Sequence, residues 1–122
     1  MARILVAEDE SAIAEFIRRA LTAAGHQATV AADGAAAWRL ALAEDFDLLL
    51  SDVRMPVMDG VALALALGAD RPDLPVLLMT GFASERERAD DLAGFVSGVL
   101  QKPFSMADLL AAVAAALSAR NA

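Results

Sequence analysis

The chain has no cysteine among its 122 residues, which excludes disulfide frameworks, thiolate zinc sites and cysteine nucleophiles together. Positive charge is scarce: ten Lys and Arg stand against seventeen Asp and Glu, for a net charge of −7. That balance argues against a general binder of DNA, RNA or anionic lipid. Long hydrophobic runs are missing too. The longest, Val61–Leu67 and Leu109–Leu117, fall well below the ~18 residues that suggest a membrane span. The opening apolar segment meets Glu8 and Asp9 too early for a signal peptide. Histidine is reduced to His26, expected in a loop after Gly25 as a solvated side chain rather than a metal ligand or phosphodonor. The exclusions leave the expectation of one acidic, cytoplasmic domain over residues 1–122.

Alanine is what the chain has in abundance. It supplies 30 of the 71 hydrophobic residues, leaving 41 larger ones for the core. Helices are therefore easily formed, while each alanine contributes little burial. Ile4–Ala7 is a continuous apolar run and reads as a buried strand. Ile13, Phe16, Ile17, Ala20, Leu21 and Ala24 follow at helical spacing, closed by Gly25 at a left-handed cap. Gln27–Ala31 is a weaker strand. Asp33-Gly34 turns into a helix with Trp38, Ala41 and Leu42 expected on one face. Leu48-Leu49-Leu50 is a buried strand ending at Ser51-Asp52. Val61–Leu67 alternates Ala and Leu as a strand would, but alanine's low strand propensity decides for helix. Val76–Met79 is the fourth strand and Val99–Gln101 the fifth. Ser84-x-x-Glu87 and Ser105-x-x-Asp108 have the form of capping boxes. The first opens a charged helix, Ser84–Gly94, whose Arg86 and Arg88 read as a solvated face. The second opens a helix with Met106, Leu109, Leu110, Val113 and Leu117 in its apolar stripe.

Continuously apolar strands separated by helices imply a parallel sheet covered on both faces. In such sheets the ligand site lies beyond the carboxyl ends of the strands. Those ends carry Glu8 and Asp9 after strand one, Asp52 after strand three, Thr80 after strand four and Lys102-Pro103 after strand five. Three close carboxylates repel one another unless a cation sits among them. An all-oxygen, partly open donor set suits Mg²⁺. A divalent cation beside a carboxylate also favours a phosphoryl group, and Lys102 and Thr80 would add a charge and a hydrogen-bond donor. Singly, these residues have plainer readings. Glu8, Asp9 and Glu10 suit a helix N-terminus, Asp52 a turn cap and Lys102 a surface position. Their common alignment is what favours a site.

Ile4-Leu5-Val6-Ala7-Glu8-Asp9-Glu10, Asp47 to Met55-Pro56 with Asp59-Gly60, Met79-Thr80-Gly81 and Lys102-Pro103-Phe104 resemble, in order and spacing, the motifs of bacterial two-component response-regulator receiver domains. The resemblance covers essentially the whole chain. Because little sequence follows the last expected helix, a stand-alone receiver without an output domain is expected; the resemblance implies an α/β, flavodoxin-like (βα)5 doubly wound sandwich with a five-stranded parallel sheet of order 2-1-3-4-5. It implies that Asp52 accepts a phosphoryl group from a histidine kinase or histidine phosphotransfer protein. Mg²⁺ would be held by Asp9, Asp52, the backbone carbonyl of Arg54 and, through water, Glu8. Thr80 would hydrogen-bond the phosphoryl group, Lys102 would pair with it, and the Lys102–Pro103 bond would be cis. The beginning of the chain and Thr80-Gly81-Phe82-Ala83 are also similar to single-domain regulators of the CpdR type, which control substrate delivery to a protease.

Two positions depart from the family pattern. Glu8 stands where aspartate is commoner, which is expected to adjust metal affinity. Val99 stands where many receivers carry an aromatic residue that turns inward on phosphorylation, and valine has no such swing. Arg54 and Phe82 are expected to flank the phosphoryl group and set its lifetime. A downstream protein is expected on the face made by Ser84–Gly94, Val99 and Ser105–Leu117, with no direct contact to nucleic acid or membrane. Slow self-dephosphorylation, not turnover, is the expected chemistry. An aspartyl-phosphate-type phosphohydrolase is the first alternative, but it would want an aspartate where Arg54 stands. A degenerate receiver acting only as a binding module is the second, opposed by the intact Asp9, Asp52, Thr80 and Lys102.

Overall fold

The computed structural model describes residues 1–81 and 96–121. Five parallel strands, β1 (Arg3–Ala7), β2 (Gln27–Ala31), β3 (Leu48–Asp52), β4 (Val76–Thr80) and β5 (Gly98–Gln101), form one sheet of order β2-β1-β3-β4-β5. Four helices among the described residues accompany them: α1 (Ser11–Ala23), α2 (Gly34–Ala43), α3 (Gly60–Asp70) and α4 (Met106–Asn121). This is the expected α/β architecture. The expected Ser84–Gly94 helix, with Arg86, Arg88 and Phe82 before it, lies outside the described residues.

The strands are apolar on both sides because each feeds two cores. Successive side chains of a strand point to opposite faces. Leu5, Ala7, Leu49, Val76 and Leu78 face α2 and α3, where they meet Ala37, Ala41, Leu63, Ala64 and Leu67. Ile4, Val6, Leu48, Leu50, Leu77 and Met79 face α1 and α4, where they meet Ile17, Ala20, Leu21, Leu109 and Val113. The alanines contribute more than easy helix formation. Ala14, Ala20, Ala37, Ala41, Ala64 and Ala116 are buried, on helix faces turned to the sheet.

The local signals at helix ends are realised. Gly25 has φ +91°; its N–H donates to the Thr22 carbonyl and that of His26 to the Leu21 carbonyl, each at 3.0 Å. This is the paired bonding of a helix closed by a left-handed residue. Ser105 Oγ accepts from the Asp108 N–H at 3.0 Å and Asp108 Oδ2 from the Ser105 N–H at 3.2 Å, a reciprocal capping box. Asp33 and Asp59 cap α2 and α3, accepting at 2.8 Å from Ala36 and Ala62.

Several side chains differ from expectation. Leu42 is 43 % exposed, because α2 turns the Ala37–Ala41 line to the sheet and leaves Leu42 beside it. Met106 is exposed because it is the first residue of α4, before the helix settles on the sheet. Ala24 is exposed just past the end of α1, and Phe16 is only partly covered, against Phe104. His26 is not simply solvated: its Nδ1 accepts from the Ala2 N–H at 3.1 Å, tying the loop to the start of β1. Trp38 packs against the core as expected and donates from Nε1 to Asp70 Oδ2 at 3.2 Å.

Candidate functional site

The carboxyl ends of β1 and β3 are neighbours, with Ala7 paired to Ser51. Glu8 and Asp52 therefore leave the sheet side by side. Both are buried: Glu8 is 2 % and Asp52 6 % exposed. Asp9, one residue on, is exposed. Carboxylate oxygens of the three residues lie within 4.8 Å of one another. The sequence placed these acids together, but it offered no reason for Glu8, rather than Asp9, to be the buried one. The geometry supplies it: the Glu8 N–H donates to the Ala31 carbonyl at 3.0 Å, continuing the β1–β2 ladder, so its side chain stays beneath the sheet edge.

Lys102 crosses to this cluster from the end of β5. Its Nζ donates to Glu8 Oε1 and to Asp52 Oδ2, both at 2.8 Å. The backbone aims it there, since the Lys102 N–H donates to the Thr80 carbonyl at 2.7 Å; the Lys102–Pro103 bond is cis. Thr80, at the last position of β4, is 1 % exposed. Arg54, beyond β3, is exposed, and its N–H reaches back to Asp52 Oδ1 at 3.4 Å. Val99 sits on edge strand β5 opposite Leu78 and packs against the α2/α3-side core. It is thus on the opposite sheet face from the buried residues of α4. Phe82 lies outside the described residues.

Burial pushes the Glu8 carboxyl up to about 7, the Lys102 hydrogen bond opposing this and the Asp52 charge adding to it. For Lys102, burial acts to lower the ammonium, but the hydrogen bonds to Asp52 and Glu8 outweigh it and the pKa lies above its ordinary value. One cation thus serves two buried carboxylates. The excess negative charge, together with an all-oxygen donor set open on the Asp9 side, fits a hard divalent cation such as Mg²⁺.

Two glycines shape the backbone around the pocket, a feature the sequence signalled only as Asp33-Gly34 and Asp59-Gly60. A Cβ on Gly60 would collide with the Asp52 carbonyl oxygen, and one on Gly34 with the Met58 carbonyl oxygen. Between them the chain bends at Val57, φ +70°, with the Met58 N–H donating to the Pro56 carbonyl at 2.8 Å. This is a three-residue γ-turn of the uncommon, left-handed kind.

Beside Lys102 a groove of about 520 Å³ is lined by Ala12, Ile13, Phe16, Gly81, Pro103 and Phe104. Among the described residues no helix is long and apolar enough to cross a membrane.

Residues 4–114 match the family model of the response regulator receiver domain. The response regulator receiver protein CpdR of Brucella abortus is 41% identical over 110 residues, which span 90% of this chain and 92% of that protein. The transcriptional regulatory protein PrrA of Mycobacterium leprae is 37% identical over 98% of the chain, which covers 52% of PrrA's length. Among solved structures, the Vibrio cholerae chemotaxis protein CheY4 superposes with a TM-score of 0.87 at 31% identity, over 95% of this chain and 98% of that one. A CheY-like receiver domain protein of Methanospirillum hungatei gives 0.91 at 26%, over 99% and 97%.

Proposed function

The chain belongs to the response regulator receiver domain family of two-component systems, and on that premise we propose that it is a phosphorylation-dependent signalling switch whose acceptor is Asp52. The observation that carries this reading is the shared ammonium: Lys102 holds both Asp52 and Glu8 at 2.8 Å at the carboxyl end of a parallel sheet. A lysine so placed fixes the acceptor's orientation and can pass to the new anion once Asp52 carries the phosphoryl group.

The donor is the phosphohistidine of a histidine kinase or phosphotransfer protein. A carboxylate oxygen of Asp52 attacks phosphorus, the phosphorus–nitrogen bond breaks, and its electron pair returns to the imidazole. The product is an acyl phosphate on Asp52. Lys102, kept protonated by its two carboxylate partners, then pairs with a phosphoryl oxygen, and the Thr80 hydroxyl donates to another. Asp9, Asp52, the Arg54 carbonyl and, through water, Glu8 would hold Mg²⁺, which would supply positive charge to offset the carboxylates and the incoming phosphoryl group. Hydrolysis returns the switch: water attacks phosphorus, the acyl oxygen–phosphorus bond breaks, and Asp52 is regenerated with release of inorganic phosphate. Arg54 stands where a turnover phosphatase would want an acid–base carboxylate, so this step is slow and the protein is not a turnover enzyme.

The output is protein contact at the β5 edge of the sheet, where Val99 and Ser105–Leu117 approach from its two sides, together with Ser84–Gly94, which lies outside the described residues. Val99 carries no ring to swing inward, so coupling runs through Thr80 and the segment after it, with Arg54 and Phe82 setting the phosphoryl lifetime. Incubation with acetyl phosphate and Mg²⁺ separates the readings by time course. One phosphoryl group per chain, decaying slowly, supports the switch. Sustained release of phosphate over many turnovers supports a phosphohydrolase, and no incorporation supports a binding module.

A further inference from the structure

The segment between β3 and α3, residues 53–59, connects the acceptor to the next helix and carries Arg54. Its conformation is not one the segment holds by itself. Val57 is β-branched, 84 % exposed and left-handed at φ +70°. Such a backbone state is unfavourable and persists only where the surroundings over-determine it. Val57 itself packs on little, so the constraint comes from its neighbours. On the far side, Gly60 rests on the Asp52 carbonyl and donates its N–H to the Val53 carbonyl at 2.9 Å. On the near side, the carbonyl of Met58 occupies the space that a Cβ of the buried Gly34 would fill. Gly34 is the first residue of α2, an element that contributes no ligand to the pocket.

We propose that Gly34 is a positioning residue for the metal- and phosphoryl-binding loop: its bare Cα seats the Met58 carbonyl, holds the turn at Val57, and thereby fixes Arg54 against Asp52. This rests on Mg²⁺ binding at the acidic pocket as proposed above. The connection is short: it runs along the backbone of residues 54–58 and ends on the Asp52 carboxylate. Met58 closes the turn onto Pro56 at 2.8 Å, and the Arg54 N–H reaches Asp52 Oδ1 at 3.4 Å. A methyl group at position 34 displaces Met58, opens the turn and moves the Arg54 backbone relative to Asp52. Because the obstacle is a carbonyl rather than a flexible side-chain end, the clash is relieved only by shifting the chain.

The test compares Gly34→Ala with Gly25→Ala, which introduces left-handed strain at the end of α1 where nothing lies within 4 Å of the new Cβ. Mg²⁺ affinity is measured by calorimetry. In the metal-free proteins, amide exchange at Gly60, bonded to Val53, is read by NMR. Gly34→Ala is expected to bind Mg²⁺ at least about tenfold more weakly and to exchange the Gly60 amide at least about tenfold faster, with native circular dichroism. Gly25→Ala keeps wild-type values for both. Val57→Pro forbids the left-handed bend from an exposed position, and it decides the matter if Gly34→Ala does not fold. It should reproduce the loss of affinity. Wild-type Mg²⁺ affinity in a folded Gly34→Ala, or in Val57→Pro, overturns the proposal while leaving the switch reading intact. Failure of the wild-type protein to bind Mg²⁺ overturns the underlying reading instead.

Discussion

Replacing Glu8 by glutamine should change how the metal-free protein responds to pH. Glu8 is buried beside Asp52, and its carboxyl is pushed from an ordinary 4.5 up to about 7. Between these values the folded protein retains a proton that the unfolded chain has released. Folding is therefore favoured at the acidic end and weakens as pH rises, the full penalty being present above about 7. Each tenfold change in proton affinity is worth about 1.4 kcal/mol, so the span sets a ceiling of about 3 kcal/mol. The side-chain amide of the E8Q protein would have no proton to lose and would still offer an oxygen to Lys102.

Urea unfolding in chelator at several pH values, followed by fluorescence of Trp38, measures the difference. Trp38 is a suitable reporter because its Nε1 bridges α2 to Asp70 at the end of α3. Wild-type stability should fall by about 1–3 kcal/mol from pH 5 to pH 8, and the E8Q protein should lack most of that fall. Glu15, held down to about 2 by hydrogen bonds from Arg18 and Arg19, acts in more acidic solution and is common to both proteins. Saturating Mg²⁺ should raise wild-type stability at pH 8 more than that of E8Q. Parallel pH profiles for the two proteins would refute the reasoning.

Lys102→Ala leaves two buried carboxylates without their ammonium. It should lose about 3 kcal/mol at pH 8, and less at pH 5 where Glu8 is protonated; denaturant midpoints at both pH values check this. Gly60→Ala forces α3 away from the Asp52 carbonyl. It should cost about 1–3 kcal/mol and slow phosphoryl incorporation, seen by thermal unfolding and phosphorylation rate on one preparation. Ser105→Ala removes one half of the capping box of α4. It should cost about 1 kcal/mol and leave incorporation on Asp52 unchanged, since the cap lies outside the pocket.

Much of this was legible because it is local. The apolar runs of β1, β3 and β4 announce a sheet covered on both faces. Gly25 and the Ser105–Asp108 pair carry their cap geometry within a few residues. In α3, alanine's helix preference outweighed the alternating pattern correctly, and Leu63, Ala64 and Leu67 are buried at helical spacing. What was hidden depends on contacts between distant segments. Leu42 and Met106 are apolar at plausible spacing, but helix rotation and helix entry decide their exposure. Nothing in Glu8-Asp9 says which acid is covered; the β1–β2 ladder decides it. The roles of Gly34 and Gly60 appear only when α2 and α3 close around the loop. His26 looked free because its partner is the backbone of Ala2, far away in the chain.

The central claim is that Asp52 is the acceptor, and the most direct measurement locates the phosphoryl group. The protein is treated with acetyl phosphate and Mg²⁺, the acyl phosphate is trapped by reductive labelling, and the modified residue is found by peptide mass spectrometry in the wild type and in Asp52→Ala. The expected result is one labelled position, Asp52, and no label in the alanine variant. Label that persists in Asp52→Ala, or that maps to Glu8 or Asp9 in the wild type, would contradict it.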